Sequence, residues 1–130
     1  MKTAQKILEI EALCENLAKQ NVEAGLLRIK VLYFVSEYEN LSVSMIIEKL
    51  GIKKSNFALL TAQLQKEGCL EINKTEIDKR CRTLKLTEKG REELSAYLSS
   101  LEERLGATDI IVDESLDILL KYLNRKVWYA

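Results

Sequence analysis

The chain has 130 residues, 47% of them hydrophobic and 31% charged, which suits one soluble globular domain with a sizeable core. Twenty basic and twenty acidic residues cancel, and no apolar run approaches the ~20 residues of a membrane span. Glu9, Glu11 and Glu15 interrupt the stretch where a signal peptide would be apolar, so a cytoplasmic protein with no membrane partner is expected. Histidine is absent, and Cys14, Cys69 and Cys81 lack metal-ligand or disulfide-framework spacing. Without the usual general base, the commonest metal ligand or any Ser-His or Cys-His pair, neither an enzyme nor a cofactor is expected.

In chain order, residues 3–20 read as a first helix. Ile7, Ile10, Cys14 and Leu17 form its apolar stripe, widened by Leu8 and Leu13. Gly25 breaks the pattern. Residues 26–38 are apolar nearly all round, from Leu26 to Val35, so this helix should be the buried centre. After a turn at Glu39-Asn40, Leu41 and Val43 can form a stub of strand. Ser42 is the natural N-cap of a third helix with Val43, Ile46, Ile47 and Leu50 inward.

Gly51 supplies a tight turn into a fourth helix at about 54–67, in which Phe57, Leu60 and Leu64 face inward. Its exposed face carries Ser55, Asn56, Leu59 and Gln63, and Gly68 ends it. Two β-prone runs follow, 69–73 and 82–86, joined by a charged tip. Thr87 caps a long helix to about Leu105, with Leu94, Tyr97, Leu98, Leu101 and Leu105 on one face. Gly106 stops it, and a last helix spans about 113–126 with Leu116, Leu119, Leu120, Leu123 and Val127 on its stripe. Helix, turn, helix and basic hairpin make a mainly α winged helix-turn-helix. The long outer helices carry more apolar surface than one such lobe needs, so a second copy should cover part of it.

Charge is unevenly placed. From Lys49 to Arg91 there are 11 Lys or Arg against 5 acids, a net +6, while the remainder carries 9 against 15, a net −6. A basic block between acidic flanks points to a polyanion partner for one face. Lys53, Lys54 and Ser55 lie at a helix N-terminus, where free N–H groups favour phosphate. Asn56 can pair bidentately with adenine, and Gln63, two turns on, suits the backbone of the nucleic acid. In the hairpin, Arg80 is a candidate for minor-groove insertion. Lys74, Lys79 and Arg82 would touch phosphates, and Asp78 would brace the tip. Cys69 reads as a buried small hydrophobe and Cys14 as packing on the first helix. Cys81, between Arg80 and Arg82, is the one thiol with a cationic setting suited to redox sensing.

The pattern resembles the MarR family of winged-helix transcription regulators. The matching residues are Leu41-Ser42-Val43-Ser44 and Ile46 leading to Leu50-Gly51-Ile52, then Ser55, Leu64-Gln65-Lys66-Glu67-Gly68, Asp78-Lys79-Arg80 and Leu86-Thr87-Glu88-Lys89-Gly90. The Asp-x-Arg wing followed by Leu-Thr-x-x-Gly is the most specific part. The resemblance implies a homodimer on a pseudo-palindromic double-stranded DNA operator, with helix 54–67 in the major groove and wing 73–82 toward the minor groove. It also implies dimerisation helices at 1–25 and 92–130 around a lobe at 26–91 whose wing spans 69–86. Family members often act as repressors and respond to small lipophilic effectors or to cysteine oxidation. Ser42 would join the DNA-contacting set. Two departures stand out. The N-cap of the DNA-reading helix is Lys53, unless Ser55 caps a later start. Positions often Thr and Arg are Ala58 and Leu59, and leucine can touch a thymine methyl but cannot read guanine. The alternative function is a winged-helix protein-interaction module with weak or non-specific DNA binding.

Overall fold

A computed structural model describes residues 1–20, 22, 25–38, 42–74 and 82–128, with the backbone alone at Lys74, Arg82 and Trp128. It contains α1 (Thr3–Ala18), α2 (Leu26–Glu37), α3 (Val43–Leu50), α4 (Lys54–Lys66), β1 (Leu70–Lys74), β2 (Arg82–Leu86), α5 (Glu88–Leu105) and α6 (Ile110–Trp128). The winged helix-turn-helix plan is present: mainly helical, with one antiparallel hairpin. Two compact units are distinguished, Met1–Ser99 and Ser100–Ala130.

In the first unit, α2 is the central helix. Val31, Leu32 and Val35 are fully buried, with Ile46 from α3, Phe57 and Leu64 from α4, Leu84 and Leu86 from β2 and Leu94 from α5 in the same core. Local chemistry sets each boundary. The Ser42 hydroxyl accepts from the Met45 N–H (3.4 Å) at the start of α3, and Gly51 closes that helix in the left-handed region (φ 66°). Gly68 does the same after α4 (φ 79°), and the Cys69 N–H returns to the Leu64 carbonyl (2.8 Å). That bond explains why β1 begins at Leu70, one residue later than the sequence pattern suggests: Cys69 belongs to the helix end.

The hairpin pairs Leu70 with Leu86, Ile72 with Leu84 and Lys74 with Arg82. Alternation puts Leu70, Leu84 and Leu86 in the core and Glu71, Asn73 and Lys85 outside. Ser42 bridges Thr83 where a stub of strand was expected, and Glu39, Asn40 and Leu41 lie outside the described residues.

The α1 helix buries none of its residues, and Leu8 (71% exposed) and Leu13 (60%) stand open. Cys14, expected to pack, is exposed. The end of α1 is tied to α5 by the Tyr97 hydroxyl donating to the Ala18 carbonyl at 2.5 Å.

In the second unit, α6 starts at Ile110, earlier than periodicity indicates. Asp109 caps it, accepting from the Val112 N–H through Oδ1 at 2.9 Å. Ile111, Leu116, Ile118, Leu120 and Val127 are exposed along α6.

Candidate nucleic-acid interface

The α4 helix meets the core through Phe57, Thr61 and Leu64. Phe57 and Leu64 were expected there; Leu60 is half-buried, and Thr61 is buried because its hydroxyl donates to the Phe57 carbonyl (2.9 Å). This anchoring leaves Ser55, Asn56, Ala58, Leu59, Ala62 and Gln63 exposed, with Leu59 at 74%. Lys53 is the N-cap, with extended backbone and no side-chain cap, and the Phe57 N–H already bonds its carbonyl at 3.1 Å. The helix therefore starts at Lys54, and the later start at Ser55 is excluded. The first-turn N–H groups lack a side-chain cap, and the exposed Lys53 and Lys54 stand at the same helix end, a ready anion site.

The Gln63 amide donates to the Glu67 carboxylate (3.2 Å), along α4 rather than away from it. Ser42 is half-buried at the head of α3, its hydroxyl 3.1 Å from that of Ser44. Lys74 and Arg82 are backbone register partners at the outer end of the hairpin. Asp78, Lys79, Arg80 and Cys81 lie outside the described residues. Cys69 is fully buried, as expected.

Sequence reasoning missed the charged cluster that holds α4. Arg28, on the helix read as apolar all round, is only 8% exposed. Its guanidinium grips Glu93 of α5 through Nε (2.8 Å) and Nη2 (2.9 Å), and bridges Glu67 at the end of α4 (2.5 Å). Hydrogen bonding to Glu93, outweighing the desolvation that opposes it and aided by Glu67, raises the Arg28 pKa further. The hydrogen bond from Arg28, then that from Gln63, lowers the Glu67 pKa. A lone Arg in an apolar helix, with Glu67 just before the helix-ending glycine, was the available signal.

The wing is fixed at its base by the Leu-Thr-x-x-Gly run. Leu86 is buried, and the Thr87 hydroxyl donates to the Gly68 carbonyl (2.6 Å) and accepts from the Gly90 N–H (3.2 Å). The Thr87 N–H bonds the Cys69 carbonyl (3.0 Å), against which Gly90 also packs. Lys89 donates to the Glu67 carbonyl (2.8 Å) and Arg91 to that of Leu86 (2.9 Å). These bonds set the hairpin relative to the end of α4 and the start of α5.

Residues 27–105 match the family described as winged helix DNA-binding domain. The chain belongs to that family. No curated protein matches it in sequence. Solved structures of MarR-type regulators share its fold. A MarR-like transcription regulator from Bacillus cereus is 22% identical over 94% of each chain, with a TM-score of 0.65. Apo MarR from E. coli is 16% identical over 95% of this chain and 96% of its own, at a TM-score of 0.70. S. aureus MepR, solved with DNA, is 16% identical over 97% and 98%, at 0.67.

Two clefts border this winged helix. One of about 230 Å³ is lined by Leu26, Ile29, Tyr33, Leu94, Tyr97 and Leu98. Another, of about 350 Å³, lies between α3, α4 and the hairpin, with Ile47, Phe57, Thr61, Ile72 and Leu84 in its wall. Among the described residues no group of three His, Cys, Asp or Glu is placed to hold a metal, and no helix is long and apolar enough to cross a membrane.

Proposed function

We propose that this winged helix is a transcription regulator that binds double-stranded DNA as a homodimer on a pseudo-palindromic operator. The carrying observation is the start of α4: uncapped backbone N–H groups, flanked by exposed Lys53 and Lys54, on a helix whose opposite face is locked into the core. In this reading α4 enters the major groove, Asn56 pairs with adenine, and Ser42, Ser55 and Gln63 contact the backbone or neighbouring bases. Lys74, Lys79 and Arg82 meet phosphates, Arg80 enters the minor groove, and Asp78 braces the tip. The exposed apolar residues of α1 and α6 support dimerisation through residues 1–25 and 92–130, with 26–91 as the DNA-binding lobe. The apolar cleft beside Tyr33 and Tyr97 suits a small lipophilic effector.

A gel shift with genomic fragments tests DNA binding, and sedimentation tests the dimer. Specific shifts by a dimer, on sites whose halves repeat at 34–36 Å, support the reading. A monomer, or no shift at low salt, refutes it. The exposure of Leu59 beside Ala58 favours one second reading, a protein-interaction module, and the absent shift would support that instead.

A further inference from the structure

The outward side of α4 carries its own chemistry. Ser55, Leu59 and Ala62 fall at i, i+4 and i+7, diametrically away from buried Phe57, Thr61 and Leu64, and Ala58 flanks them. All four are exposed, and Ala58 and Ala62 also border the cleft beside the hairpin. Leu59 and Ala62 are i, i+3 neighbours about 5–6 Å apart, a span between one and two base-pair steps of about 3.4 Å.

In the major groove, guanine offers two acceptors that call for Arg or Lys, whereas thymine offers a methyl group that calls for an apolar contact. The cations of α4 stand at its ends. Lys53 and Lys54 flank the anion-favouring N-terminus, and Lys66 lies 11 residues beyond Ser55, about 16 Å along the axis. Between them the exposed side chains are Ser55, the apolar Ala58, Leu59 and Ala62, and three amides, Asn56, Gln63 and Gln65, with no cation. Asn56 suits adenine, and the Gln63 amide is already shared with Glu67.

We infer that α4 reads A·T pairs, with Leu59 and Ala62 seated on the 5-methyl groups of nearby thymines and Asn56 on an adenine, and that α4 reads no guanine in the major groove. Terminal lysines supply the charge complementarity that brings this apolar strip against DNA. The inference rests on the DNA-binding reading above and adds what the site recognises. It differs from general affinity for A·T-rich DNA, because the methyl group itself carries the recognition. Leu59 is then a specificity-determining residue with no part in stability.

The full-length protein, used to select from a random duplex library at low salt, provides the sites for the test. Deoxyuridine is then placed at each thymine in turn, and 7-deazaguanine at every guanine, with affinities read by fluorescence anisotropy. Replacing the thymine beneath Leu59 should weaken binding roughly fourfold, the equivalent of burying one methyl group. Leu59→Ala, exposed and therefore able to fold, should erase that difference, and 7-deazaguanine should change nothing. An invariant guanine sensitive to 7-deaza substitution overturns the inference while leaving DNA binding intact. So does Leu59→Ala distinguishing thymine from uracil as the wild type does. No DNA retained at low salt overturns the DNA-binding reading and this inference together.

Discussion

The junction between the wing and α5 offers a sharp test of how the lobe is held. A Cβ added at Gly90 would lie 2.3 Å from the Cys69 carbonyl oxygen and 3.2 Å from its carbon. Ordinary contact begins at 3.4 Å, so Gly90→Ala requires a separation of about 1.1 Å between the start of α5 and the end of α4. The obstacle is backbone, and the same oxygen accepts from the Thr87 N–H, so neither side yields without breaking a bond. Overpacking of this kind costs about 1–3 kcal/mol. Helix propensity returns at most ~1 kcal/mol on replacing glycine with alanine. Taking the upper part of the overpacking range, Gly90→Ala should destabilise by about 2 kcal/mol, measured by urea unfolding at unchanged m. Glu92→Ala, exposed on the same helix, should stay within about 0.5 kcal/mol and serves as the control. A Gly90→Ala protein as stable as the wild type refutes the close approach as the reason for glycine in the Leu-Thr-x-x-Gly run.

Other consequences follow from the same contacts. Arg28→Met strips Glu93 of its bidentate partner and should cost about 2 kcal/mol, less than a fully buried pair because Glu93 is a third exposed. The lowered pKa of Glu67 means its ionised form is favoured by folding, so its contribution is present above the usual 4.5 and lost as pH falls through the folded value. Glu67→Gln should therefore flatten the acid limb of stability against pH. Asn56→Ala should cost about 1–3 kcal/mol of DNA affinity at one base position, and a uniform loss over all sequences would rule out the bidentate contact. Arg80→Ala should weaken binding most on sites with A·T tracts beside the half-sites, and unchanged affinity across several operators would remove it from the minor groove.

Much of the lobe was legible in the chain because glycines and hydroxyls punctuate it. Ser42, Gly51, Gly68 and Thr87 each end or begin an element where expected. Boundaries that depend on tertiary bonds were not legible, as at Cys69, whose N–H and carbonyl are taken by Leu64 and Thr87. Arg28 was overlooked for a related reason: periodicity registers where apolar residues lie, whereas the value of a buried cation depends on Glu67 and Glu93, 39 and 65 positions away. The candidate interface was half legible. Exposure of Ser55, Asn56 and Leu59 followed from the stripe opposite Phe57 and Leu64, but Gln63 turned toward Glu67, a choice that only packed geometry makes.

The most direct measurement is duplex affinity against salt for the wild type and for the Lys53→Ala/Lys54→Ala double variant. If α4 docks its N-terminus on phosphate, log affinity of the wild type falls steeply and linearly with log salt, and the variant loses up to about two phosphate contacts, a slope shallower by about 0.9 for each. Binding that ignores salt, or a variant with the wild-type slope and affinity, would contradict DNA recognition through this helix.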